Sequence, residues 1–173
     1  MLKIVEASVV FAEFPDEVSL ALSVSNCPNN CKGCSEAYLK EDIGKELTEE
    51  LLDKLINDNR GVTLVGFMGG DCDHESVARF ANLVHEKYGL KVGMYSGRDY
   101  IDLNLATVLD YYKIGRWKMF EGDESTWKNQ CAGPLSLPVS NQVMFKRVDD
   151  KLIDITEKFR RFPINNWKSL IIN

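Results

Sequence analysis

The sequence predicts an α/β fold in which a mostly parallel sheet is covered by helices. Three observations carry this. Beyond residue 40 the apolar pattern runs helix, strand, helix, strand, helix, strand, an order that lays parallel strands side by side through right-handed crossovers. The chain has 173 residues, 45% of them hydrophobic, enough for one domain with a real core. Two loops rich in chemically active residues, 26–36 and 68–74, each follow a predicted strand directly. Ligands gather at the carboxyl ends of strands in such folds, so both loops should open on the same edge of the sheet.

The elements follow in order. Ile4 to Glu13 and Val18 to Ser25 are rich in Val, Ala, Ser and Phe and are separated by Pro15-Asp16, which reads as two strands and a turn. Residues 26–36 form a loop dense in Asn, Cys, Pro and Gly. Leu47 to Asn57 has apolar residues at 47, 51, 52, 55 and 56, with Glu49 and Glu50 in the first turn. That is helical spacing, with acids placed to suit the helix dipole. Gly61 to Phe67 reads as a buried strand, Glu75 to Tyr88 as a helix and Leu90 to Tyr95 as a strand. Tyr100 to Leu109 reads as a helix, and Tyr111 to Ile114 as a short strand. Residues 115–140 carry little periodicity, and a loop of that length is more often functional than filler. Gln142 to Val148 and Lys151 to Ile155 form a hairpin around Asp149-Asp150. One domain is expected over 1–173, with residues 156–173 as a C-terminal appendage.

Net charge is −5, which argues against a broad nucleic-acid binder. No apolar run reaches the length of a membrane span. The segment from Met1 to Phe14 lacks the cationic start and apolar stretch of a signal peptide, so the cytoplasm is the expected compartment. The five cysteines are Cys27, Cys31, Cys34, Cys72 and Cys131. An odd number without a secretion signal argues against a disulfide framework.

Cys27-Pro28-Asn29-Asn30-Cys31-Lys32-Gly33-Cys34 spaces three thiols as C-x3-C-x2-C. Three thiolates on one loop can ligate three corners of an iron–sulfur cube and leave the fourth iron open to another ligand. Zinc is a second reading, with His74 or Cys72 completing a tetrahedron, although no second C-x2-C pair is present to close it. A redox pair of Cys31 and Cys34 would leave Cys27 unexplained. Among the remaining candidates, His74 reads as a solvated residue beside a helix cap at Asp73, and His85 as a surface residue. Glu46, Glu49, Glu50 and Asp53 read as a solvated helix face.

The spacing of Cys27, Cys31 and Cys34 resembles the signature of the radical S-adenosyl-L-methionine (SAM) superfamily. Met68-Gly69-Gly70-Asp71, after the next strand, resembles that superfamily's Gly-Gly-Glu/Asp element. The resemblance implies an incomplete (β/α) barrel. It implies a 4Fe-4S cluster on Cys27, Cys31 and Cys34, with SAM chelating the open iron. One electron then cleaves SAM to methionine and a 5′-deoxyadenosyl radical, which abstracts hydrogen. Cofactor contacts would come from Gly33, Cys34, Ser35, Gly69, Gly70 and Asp71. A ligand ammonium at this turn could be met by a backbone carbonyl or by the Asp71 carboxylate. No catalytic side chain beyond the cluster is implied.

A narrower resemblance runs from about Val18 to about Ile155. It rests on Ser23-Val24-Ser25-Asn26, Lys32-Gly33-Cys34, Phe67 to Asp71, Lys91 to Gly97, Tyr112 to Arg116, Gly133-Pro134-Leu135 and Ser140-Asn141-Gln142. Together with the small size, these make the chain similar to the activating proteins of anaerobic (class III) ribonucleoside-triphosphate reductases. The implied reaction is hydrogen abstraction from a glycine of the large reductase subunit, with an electron donor such as a flavodoxin. No nucleic-acid or membrane partner is implied. Gly33 stands where many superfamily members have an aromatic residue, a departure the reductase activators share. Cys72 stands where a proline is usual, and reads as an inert small hydrophobe. Phe120 to Cys131 is longer than a minimal member needs. Arg116, Trp117 and Trp127 are candidate partner contacts. Two alternatives remain: another small radical SAM enzyme, and a zinc-binding structural module.

Overall fold

A computed structural model describes residues 1–117 and 142–156. Its strands are β1 (Lys3–Val10), β2 (Ser19–Val24), β3 (Lys45–Glu46), β4 (Leu64–Met68), β5 (Lys91–Tyr95), β6 (Tyr111–Ile114), β7 (Val143–Val148) and β8 (Lys151–Asp154). The helices are α1 (Glu49–Asp58), α2 (His74–Tyr88) and α3 (Leu103–Val108), with a 3-10 turn at Ala37–Lys40. Trp127, Cys131, Trp167, most of the 115–140 segment and nearly all of the expected appendage lie outside the described residues.

All eight strands form one mixed sheet in the order β3-β1-β2-β4-β5-β6-β7-β8. The expectation of a mostly parallel sheet is corrected. Only β2, β4, β5 and β6 run parallel. The pairings β3–β1, β1–β2, β6–β7 and β7–β8 are antiparallel. For β1–β2 and β7–β8 the reason is connection length: eight and two residues join them, fewer than the dozen or more that a parallel crossover needs. At the β7–β8 turn, Asp149 (φ 46°) and Asp150 (φ 62°) both adopt the left-handed conformation that a tight hairpin requires and aspartate tolerates.

Side-chain oxygens start the helices. Thr48 accepts from the Leu51 N–H, Asp73 from Ser76 N–H, and Asp102 from the N–H groups of Asn104 and Leu105. The Asp102 cap explains why α3 begins later than the apolar pattern suggested. All three helices pack on one face of the sheet. There Leu52, Ile56, Val77, Phe80, Ala81, Val84 and Leu105 join Leu22, Val65, Phe67, Val92, Met94 and Tyr112 in one buried core. The opposite face holds a smaller cluster of Phe14, Leu64, Tyr111, Met144 and Ile155. Among the described residues, no helix is long and apolar enough to cross a membrane.

Candidate functional site

The parallel strands decide where the candidate residues meet. Ser23, Met68, Tyr95 and Lys113 stand level across β2, β4, β5 and β6. The segments leaving these strands therefore emerge side by side, as the sequence led us to expect. They are the cysteine loop 26–34, the glycine turn 69–73, Ser96 to Asp99, and Gly115 to Trp117.

The cysteine loop is tied at its start and its middle. Asn26 N–H donates to Glu41 O (3.3 Å) and Cys27 N–H to Leu39 O (2.9 Å). The Asn26 amide donates to Asp42 (2.8 Å) and Lys40 to Asn30 (2.6 Å). The 3-10 turn thus doubles back under the loop, which the sequence did not reveal. Cys27, Cys31 and Cys34 are half-buried, whereas Gly33 and Ser35 are exposed. Cys34 N–H closes a turn onto Cys31 O (3.4 Å). Burial pushes the Cys31 thiol up, the Trp117 backbone opposes that, and Cys34 and Cys27 push it up further. Among the described residues, no three His, Cys, Asp or Glu side chains stand together as a ready metal cage.

The glycine turn lies against this loop. Gly69 and Gly70 hold φ of 114° and 111°, values that suit glycine alone. A Cβ on Gly69 would lie 3.2 Å from the Val24 carbonyl oxygen at the end of β2.

Asp71 is buried at 4% exposure, and the protein itself uses both of its oxygens. Oδ2 accepts from the Asn29 amide (2.7 Å) and Gly97 N–H (2.7 Å). Oδ1 accepts from the Ser96 hydroxyl (2.6 Å) and faces His74 Nε2 (3.3 Å). This narrows the role expected for Asp71: its carboxylate binds together three strand-exit segments, and a ligand at this turn is left to the backbone of Gly69 and Gly70. His74 is corrected outright. It is not solvated. Its side chain is 14% exposed and bridges Asp71 and Asp102, with Nδ1 2.9 Å from Asp102 Oδ2. Asp53 is likewise no plain solvated acid, since Lys87 and Tyr88 of α2 both donate to it. His85 pairs with Asp110 (2.9 Å).

Cys72 donates to the Ser25 carbonyl (3.6 Å), and burial pushes its thiol up, as fits an inert thiol rather than an activated one. With Cys72 turned there and both ring nitrogens of His74 facing carboxylates, neither side chain is poised to complete a zinc tetrahedron.

Sequence reasoning did not single out Lys113, which lies beside these segments level with Tyr95. Lys113 is 5% exposed, and its ammonium lies 4.3 Å from the centre of the Tyr95 ring. Burial pushes its pKa down to about 8, with Glu13 pulling the other way. Tyr95 in turn donates to Glu13. A lysine within a Tyr-Tyr-Lys-Ile strand was the available signal, since a charged residue in so short and apolar a strand needs a reason. Gln142 donates to Gly115 O (3.1 Å), which brings together two of the sequence elements quoted above for the narrower resemblance.

Residues 17–151 match the model of a family described as a 4Fe-4S single cluster domain. The chain belongs to that family. The matched span contains every segment gathered at this edge, so a cluster-binding domain is indicated. The donor chemistry of the cluster domain fits: three half-buried thiols on one anchored loop, at the carboxyl ends of parallel strands. No curated protein and no solved structure matches the chain.

Proposed function

We propose that Cys27, Cys31 and Cys34 hold the 4Fe-4S cluster, and that the chain is a radical SAM enzyme that generates a glycyl radical in an anaerobic ribonucleoside-triphosphate reductase. The observation that carries the reading is the junction of the cysteine loop with the Gly69-Gly70 turn across β2 and β4. It brings three thiols, one fewer than a fully ligated cluster takes, and a close-approach backbone to one sheet edge. When bound and reduced, such a cluster supplies the electron that cleaves SAM to methionine and a 5′-deoxyadenosyl radical.

The chain's own residues do the rest. The three thiols would hold the cluster and leave it one ligand short, which would open a position for SAM. The backbone of the Gly69-Gly70 turn meets the ammonium. Among the described residues the helices lie on one face of the sheet, and an incomplete barrel would leave its other side to admit a glycine-bearing loop of the partner. Arg116 and Trp117, both exposed, stand at the rim where that partner would dock. The electron would come from a donor such as a flavodoxin. Among the described residues the zinc module has no fourth ligand poised, and the family match favours iron and sulfide over it.

The test is anaerobic reconstitution with iron and sulfide, then reduction and addition of SAM, with 5′-deoxyadenosine read by chromatography. The protein should turn brown and form 5′-deoxyadenosine, and Cys31→Ala should abolish both. A colourless protein with one tightly bound zinc per chain would refute the proposal.

A further inference from the structure

Asn29 sits midway between Cys27 and Cys31 and is held from two sides. Its amide nitrogen donates to Asp71 Oδ2 (2.7 Å) and lies 3.8 Å from Cys27 Sγ. A side-chain amide has two N–H protons, and here there are two acceptors for them. An ionised carboxylate only accepts, so Asp71 fixes which end of the amide faces inward: the carbonyl oxygen would be repelled. The second N–H is thereby aimed at the cysteine sulfur. Gly97 provides an independent sign of the same fit. A Cβ at Gly97 would stand 2.4 Å from Asn29 Nδ2 and 2.8 Å from its Cγ, so the amide occupies the space a side chain would take. Asp71 is itself held by Ser96, Gly97 and His74, which makes it a rigid support.

We infer that Asn29 is a positioning residue, clamped by Asp71 against Gly97, that fixes the cysteine loop and directs an N–H at the sulfur of Cys27 to raise the reduction potential of the cluster. The inference rests on Cys27 being a cluster ligand, as proposed above. Hydrogen bonds to cluster sulfurs favour the reduced, more negative state, and partners beyond the direct ligands set metal-site properties in general. The clamp acts from outside the ligand set, and it links the potential to the loops that follow β4 and β5.

Two variants test it, Asn29→Ala and Gly97→Ala. Neither removes a thiol or a charge, and circular dichroism checks that each folds. The first reading is amide hydrogen exchange of residues 26–36 in metal-free protein. The second is the midpoint potential of the reconstituted cluster, from a dithionite titration followed by electron paramagnetic resonance. Asn29→Ala should speed exchange in the loop at least tenfold and move the potential lower. Gly97→Ala should do both to a smaller extent by displacing the amide. Wild-type exchange in Asn29→Ala would overturn the clamp. Faster exchange with an unchanged potential would overturn the electrostatic role and leave a merely structural contact. If wild-type protein takes up no cluster, the proposed function fails, and the exchange measurement in metal-free protein still decides the clamp.

Discussion

Alternate residues of the same strands face two different environments. Toward the helices, β4 and β5 contribute Val65, Phe67, Val92 and Met94 to the large core. On the other side they contribute Leu64, Met68 and Tyr95 to the smaller one, with Gly66 and Gly93 lying under the ring of Phe14. Buried charge is found on that second side. Glu13 and Glu17 are 7% and 6% exposed and Lys113 is 5% exposed, and the first two are held by Tyr95 and Tyr111. Burying charge is unfavourable unless it is paired. One face thus devotes its burial to cohesion. The other buries charge beside its smaller apolar cluster and holds it through partners, as Lys91, Thr63 and Tyr111 do for Glu17.

The largest effect should come from the cohesive face. Phe80→Ala removes a fully buried ring from between α2 and the sheet. It should destabilise the fold by about 3–5 kcal/mol, read as a fall in the urea midpoint. The yield of 5′-deoxyadenosine per folded molecule should stay unchanged, and a selective loss of that yield would blur the division between the faces. Gly93→Ala probes the other side. Its Cβ would fall 2.3 Å from Phe14 Cε1, so the ring must shift, at about 1–3 kcal/mol. Because Phe14 packs against Tyr95 at 5.1 Å between ring centroids, this variant should lower the 5′-deoxyadenosine yield as well as stability.

The smallest effect concerns Glu17. Burial alone would raise its pKa, but hydrogen bonds from Lys91, Thr63 and Tyr111 hold it below the ordinary 4.5. As the pH falls, the unfolded chain takes up the proton first. The stabilisation is therefore complete above that ordinary value and is lost as the pH falls through the lower folded one. Glu17→Gln should cost about 1 kcal/mol at neutral pH and flatten the acid limb of the urea midpoint plotted against pH. An acid limb as steep as in the wild type would show that other carboxylates govern it.

Periodicity carried most of the fold. Strand alternation located β2, β4, β5 and β6, and helical spacing located α1 and α2. The meeting of the cysteine loop and the glycine turn on one edge was legible too, because both follow strands expected to be parallel. The two-residue β3 and the 3-10 turn were not, since neither is long enough to show a period. The antiparallel flanks were underweighted although both hairpins could be read from their turns. Side-chain partnerships were beyond the reach of spacing. Nothing in Asp71-Cys72-Asp73-His74 announces that His74 reaches Asp102, twenty-eight positions away, or that Asp71 is consumed by Asn29 and Gly97. Lys113 was visible as a letter, but its burial depends on tertiary structure.

The anchoring of the cysteine loop bears on the order of assembly. Bonds from Cys27 to Leu39, from Lys40 to Asn30 and from Asn29 to Asp71 restrain the loop at its root, its middle and its far side. Much of the chain entropy that a metal centre would otherwise have to remove is lost when the polypeptide folds. A delivery system carrying a ready-made cluster would meet a docking cradle instead of an unfolded recipient, and the finished protein could exchange or repair its inorganic part without taking its fold apart.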